Sequence, residues 1–160
     1  MRIAVLGLSA LLALCAPAFA QQEIIGAKDG KDIVTVRNPQ ETGSKQNLPY
    51  FPGISGKTAG SKHLTMLKVV IPPGATAKAH VHQGYESAIY LLKGRVETRY
   101  GDGLKKSVVN IAGDFIFIPA DVPHEPTNLS KTEEAVAIVV RNDPNEQEHV
   151  VLYPHGAKKQ

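Results

Sequence analysis

Two histidines stand one residue apart in "KAHVHQGYESAIYLLKG" (Lys78 to Gly94), and Glu86 follows them in the same stretch. A third histidine, His124, lies in "GDFIFIPADVPHEPTN", about forty residues further on. On a strand, residues two apart share a face, so His80 and His82 would point the same way. Neighbouring imidazoles, a carboxylate and a distant imidazole form a donor set for a divalent first-row metal. Imidazole suits iron, nickel, copper and zinc, and a carboxylate adds affinity for manganese. Neutral imidazole is the ligand form, so occupancy is expected to fall below about pH 6.5. A pair of histidines alone would be read as polar residues at a strand end, so the elements around them decide.

From Leu64 onward, short runs rich in Val, Ile, Thr, Tyr and Phe follow one another: "LTMLKVVI", "TAKAHVH", "ESAIYLL", "RVETRY", "LKKSVVNI", "DFIFIP", "EEAVAIVVR" and "HVVLY". Such runs read as strands. Turn residues divide them, among them Pro72-Pro73-Gly74, Lys93-Gly94, Gly101-Asp102-Gly103, Ala112-Gly113 and Asn142-Asp143-Pro144. No amphipathic stretch of helical length interrupts them. The pattern predicts an all-β sandwich or barrel over residues 63–154. Ahead of it, residues 21–62 form a polar, Gly- and Pro-rich arm in which only Ile33 to Val36 reads as a strand. That arm is expected to wrap the domain or to mediate a subunit contact. Residues 155–160 read as a solvated tail.

The spacing of the chemical residues resembles that of the cupin superfamily. Gly74, five residues, His80, one residue, His82, three residues, Glu86 and later Gly94 are similar to its first motif. Gly113, five residues, Pro119, four residues, His124, three residues and Asn128 are similar to its second, with Asp121 standing where that motif usually has glycine. The resemblance covers roughly Lys68 to Val140 and implies a jelly-roll β-barrel. It places His80, His82, Glu86 and His124 on or near metal-ligand positions, and makes Gly74, Gly94 and Gly113 turn residues and Pro119 and Asn128 framework. One ligand departs from the pattern. The glutamate usually precedes the closing glycine by seven positions, whereas Glu86 precedes Gly94 by eight and Ser87 holds the seventh. One step along a strand reverses the face. Either a bulge between Glu86 and Gly94, expected near Glu86-Ser87, absorbs the extra residue and turns the carboxylate inward, or Glu86 points away and three histidines remain. Serine is a poor ligand, which favours Glu86. On that reading "KAHVHQGYESAIYLLKG" is two neighbouring strands with a metal between them.

The function this implies is divalent-metal binding (Mn, Fe, Ni, Cu or Zn) in a single-domain cupin acting on a small anionic or dicarbonyl molecule. Oxygenase, decarboxylase, lyase and isomerase chemistry all fit such ligands. A non-catalytic binding or sensing module is the alternative, because one fold hosts many chemistries. Arg95, Arg99 and Arg141 read as solvated strand residues, although one facing the cavity would suit a carboxylate. Tyr85 either faces the cavity or closes a strand end, and Tyr90 reads as packing. Asp121 and Glu125 flank His124 as solvated carboxylates or as supports for it. His63, His149 and His155 fall outside the motifs.

Residues 1–20, "MRIAVLGLSALLALCAPAFA", combine Arg2, an apolar run from Ile3 to Leu14 and a small-x-small end at Ala18-Phe19-Ala20. This is the pattern of a secretory signal cleaved near Ala20-Gln21, and the run is short for a membrane span. It predicts a periplasmic or secreted protein without a membrane anchor once cleaved. Cys15 lies within the segment behind Leu14, which disfavours lipidation, and its removal leaves no thiol or disulfide. The remaining chain, about 140 residues, suits one domain with one core. Net charge is +3, and loss of Arg2 lowers it to +2. No basic stripe with interleaved aromatics is present, so nucleic acid is not an expected partner. A small-molecule ligand and a homodimer are. No nucleophile elbow, phosphate loop or nucleotide fingerprint occurs.

Overall fold

The computed structural model describes residues 20–145 and 147–154. The expected signal ahead of Ala20 and the tail with His155 lie outside the described residues. Almost all of the described chain is strand and turn. A ribbon of β1 (Glu23–Ile25) and β2 (Thr35–Arg37) leads into two antiparallel five-stranded sheets. The first sheet runs in the order β12 (Val150–Leu152), β5 (His80–His82), β10 (His124–Asn128), β7 (Arg95–Tyr100), β8 (Lys106–Ile111). The second runs in the order β3 (Tyr50–Ile54), β4 (Thr65–Ile71), β11 (Ala135–Arg141), β6 (Ser87–Lys93), β9 (Phe115–Ile118). One helical turn, α1 (Gly56–Ala59), is capped by Ser55, whose Oγ accepts from Thr58 N.

Alternation along the strands builds the interior. In β4, Thr65, Leu67, Val69 and Ile71 are buried; in β11, so are Ala135, Ala137, Val139 and Arg141. The apolar ones among them, from Leu67 to Ile71 and from Ala135 to Val139, meet Leu91 of β6 and, from the opposite sheet, Val96 of β7 in one hydrophobic cluster. Each large aliphatic side chain so buried contributes about 1.5–3 kcal/mol. Gly94 closes the turn between β6 and β7 at φ 94°, and a Cβ there would stand 2.7 Å from Ala135 Cβ. Both the backbone angle and the close approach require glycine.

Two elements depart from the expected pattern. The barrel does not begin at residue 63. Tyr50–Ile54 is an edge strand paired with β4, and Leu48 and Tyr50 belong to the core, so the end of the arm is part of the barrel. "HEPTN" is a strand in the middle of the first sheet despite Pro126. Proline has no N–H to give, so the pairing beside it is reduced to an isolated bridge, in which Ala77 N donates to Pro126 O and Asn128 N to Ala75 O, each at 2.9 Å. Regular pairing with the preceding chain resumes at His124 and His80. This is why "TAKAHVH" is a strand only over its last three residues.

Candidate metal centre

β5 carries His80 and His82 on one face, and His124 opens the neighbouring β10 directly opposite His80. All three rings are buried. Their centroids are 4.2 Å (His80–His124), 4.6 Å (His82–His124) and 5.1 Å (His80–His82) apart. One ring nitrogen from each lies within 4.8 Å of the other two. The partners of the remaining nitrogens set the tautomers. His80 Nδ1 meets Lys78 O at 2.8 Å, and His124 Nδ1 meets Val122 O at 2.9 Å. A carbonyl only accepts, so each Nδ1 carries the hydrogen and each Nε2 keeps its lone pair.

His82 is held differently. Its Nδ1 lies 2.8 Å from Ser87 Oγ, which also accepts from Arg141 Nε at 3.3 Å. Tyr85 stacks on the ring, 4.9 Å between centroids. His82 Nε2 is buried without a hydrogen-bond partner. Leaving a buried polar atom unmade costs about 1–3 kcal/mol. A divalent cation shared with His80 and His124 would satisfy it, so the residues present fit a metal.

The same surroundings keep the rings neutral. Burial pushes the His80 imidazole well below its usual pKa, reinforced by His124. Burial, then the Arg141 charge, lowers the His82 imidazole far below it as well. Burial takes His124 down to about 4 against its hydrogen bond to Val122 O, with Arg141 adding to the fall. Three lone pairs are thus available well below the pH 6.5 expected for exposed imidazoles.

Glu86 is not part of this cluster. It is exposed, with its backbone N–H donating to Asn142 Oδ1 at 2.8 Å, while Ser87 is fully buried against His82. The extra residue before Gly94 is absorbed at the other end of β6. Val136 pairs with Lys93 and Ala137 with Leu91, which leaves Leu92 as the bulge. From Ser87 to Leu91 the strand is regular, so Ser87, Ile89 and Leu91 face inward and Glu86 faces out. Nor are the two halves of the stretch neighbours. β5 and β6 belong to different sheets and face each other across the barrel.

The rings open into a cavity of about 80 Å³ with mostly apolar walls, among them Leu48, Val69, Leu91 and Val139. Arg141 and Gln46 line it as well. Arg141 is buried and lies over the Tyr50 ring, 5.4 Å from its centroid. It is therefore not the solvated strand residue expected from the sequence. Its place follows from parity, because Ala135, Ala137, Val139 and Arg141 share one face of β11. Among the other candidates, Arg99 Nε donates to buried Glu125, and that hydrogen bond raises the Arg99 pKa. Arg95 and His63 are exposed, Tyr90 packs on Phe115 outside the barrel, and His149 pairs with Asp143. Asp121 supports the loop rather than a ring: its N–H donates to His82 O at 3.0 Å and its Oδ1 accepts from Gly84 N at 3.2 Å. Its φ of 62° lies where glycine is favoured, which accounts for the residue usual at that motif position. Gln46 and Arg141 are the site neighbours that motif spacing does not single out, whereas Ser87 stands at the position where the motif usually has its glutamate.

Comparison with known proteins accords with this geometry. Residues 67–141 match the family model described as "Cupin domain". No curated protein sequence matches the chain. Among solved structures, an oxalate oxidase is similar at a TM-score of 0.59 and 25% identity, over 72% of this chain and 60% of that one. The Lactobacillus farciminis oxalate decarboxylase is similar at a TM-score of 0.60 and 18% identity, over 72% of this chain and 33% of that one. A protein with a double-stranded β-helix domain from Klebsiella pneumoniae aligns at a TM-score of 0.56 and 17% identity, over 69% of this chain and 88% of that one. The chain thus spans a minor part of the decarboxylase and less than two thirds of the oxidase.

Proposed function

Residues 67–141 are a cupin domain, and from that premise we propose that the chain is an exported single-domain cupin. It binds a divalent transition metal through His80, His82 and His124 and acts on a small anionic or dicarbonyl molecule. The observation that carries this reading is the orphaned, buried Nε2 of His82 beside two further rings whose Nδ1 hydrogens are already placed. With Glu86 outside, the described donors are all nitrogen. That favours iron, nickel, copper or zinc, and the carboxylate reason for manganese falls away. When bound, the ion would supply Lewis acidity to the cavity. The chain's own part is to exclude water and to hold three neutral imidazoles together, His80 and His124 each fixed with its hydrogen on Nδ1.

The test is elemental analysis of protein purified from its native host. About one metal per chain is expected in the native protein, and its loss in each of His80→Ala, His82→Ala and His124→Ala. A native protein that takes up no first-row metal would refute the reading. Among the described residues, the cavity walls hold no carboxylate, lysine or cysteine. This favours a second reading, a binding or sensing module, and absence of turnover by the metal-loaded protein would select it. Export is tested by N-terminal sequencing, with Gln21 expected first. The proposed homodimer would use the outer face of the second sheet, where Phe115, Phe117 and Leu92 are exposed. Sedimentation of the wild type and of Phe117→Glu decides that point.

A further inference from the structure

We infer that the cavity is a site for a carboxylate of two or three carbons, held by Arg141 and Gln46 beside the metal. The inference rests on the metal-site reading for its setting, but on different atoms. Three features of the walls carry it.

The first is charge. Arg141 puts a guanidinium in a buried, mostly apolar chamber, on the wall it shares with the three histidines. A divalent ion bound by neutral imidazoles would add further positive charge to the same low-dielectric space. An anionic ligand is the species such a field concentrates.

The second is hydrogen-bond polarity. Gln46 is 2% exposed, and its Nε2 is buried without a hydrogen-bond partner. Its Oε1 accepts from Gln147 Nε2 at 3.4 Å, which leaves the amide hydrogens as the group to be satisfied. Arg141 can only donate. A carboxylate only accepts, so it complements both, whereas an amine or an ammonium complements neither.

The third is size. A cavity of about 150 Å³ is enough for benzene, and this one is about 80 Å³. A ligand of roughly four to six heavy atoms fits, and an aromatic acid does not.

Acetate is the probe, with acetamide as its neutral counterpart and benzoate as the size control. Binding is measured by calorimetry on metal-free and on cobalt-loaded full-length protein. Wild type is expected to bind acetate, to prefer it over acetamide and to ignore benzoate. Arg141→Gln should weaken acetate by about 30-fold, the scale of a hydrogen bond to a charged group. Gln46→Leu should weaken it by about 5- to 10-fold while its melting temperature stays level or rises, because the substitution removes a buried amide nitrogen that lacks a partner and gives up only the long 3.4 Å contact to Gln147. A merely structural glutamine would give the opposite pairing. Should Arg141→Gln fail to fold, Arg141→Lys keeps the charge but not the planar fork and should still lose about 10-fold. Failure of wild type to take up cobalt would sink the metal reading alone, and the acetate comparison on metal-free protein would still decide this one. The inference is overturned if wild type binds no acetate in either form, or if the folded variants bind it as wild type does.

Discussion

Ser87→Ala separates the two ways of reading "YES" at Tyr85–Ser87. Ser87 Oγ sits between His82 Nδ1 at 2.8 Å and Arg141 Nε at 3.3 Å, in a position with no solvent exposure. Removing it takes the hydrogen-bond partner from His82 Nδ1 and the acceptor from Arg141 Nε. At about 1–3 kcal/mol for each buried group left unmade, the stability loss should be roughly 2–4 kcal/mol, because some relaxation is available to the Arg141 side chain. The effect on the metal is separate. Without Oγ, His82 loses the contact at Nδ1 that holds its ring plane, and such supports are worth about 10- to 100-fold in metal affinity. That is about 1.4–2.7 kcal/mol of binding free energy. Zinc affinity, read by competition with a chromogenic chelator, should fall by this factor in Ser87→Ala. It should stay within about twofold of wild type in Glu86→Gln, whose side chain is in solvent. Wild-type affinity in Ser87→Ala together with a tenfold loss in Glu86→Gln would refute the three-histidine geometry and restore the carboxylate.

Three further outcomes are expected. Zinc uptake should be abolished in His124→Ala and unchanged in His63→Ala, which isothermal titration would read directly; equal uptake would place the site elsewhere. The metal-free protein should lose stability on acidification. His124 is neutral in the folded chain down to about 4, while the unfolded chain takes up its proton from the usual 6.5 downward. The unfolded state therefore binds more protons in that window, and stability, complete above pH 6.5, falls by roughly 3 kcal/mol from this ring alone as the pH approaches 4. Urea unfolding at pH 7.5 and pH 5 checks the sign, and a flat profile would contradict it. Asn128→Ala should lower stability by about 2–4 kcal/mol, because Asn128 Nδ2 donates to the carbonyls of Ile71, Pro72 and Glu133 and its Oδ1 accepts from Ser130 N. A reduced urea midpoint at constant slope is the expected result.

The sequence by itself determined the class of fold, most of the strands and the three histidines. Turn residues mark strand ends by their own backbone preferences, and "RVETRY" is a strand over the very residues the pattern assigns, Arg95–Tyr100. Glycines and a proline at fixed distances from histidines record constraints on turns, which are local. Pro126 hid the strand His124–Asn128, because proline argues against a central strand unless the neighbour's pairing is known to break beside it. The phase of β6 was beyond local reading for another reason. "SAIYLLK" is apolar on both faces, with Ile89 and Leu91 on one and Tyr90 and Leu92 on the other, so alternation cannot say which is inside. β11 has the same ambiguity, with Val136, Ile138 and Val140 outward and Ala135, Ala137 and Val139 inward. Only the pairing of the two strands resolves both at once. It places the extra residue at Leu92, sets Ser87 opposite Arg141, and turns both side chains toward His82. A one-residue shift reverses a whole strand face, and the contacts that select the shift come from residues about fifty positions away in the chain. The tertiary structure therefore decided that serine and arginine, not glutamate, stand beside the histidines.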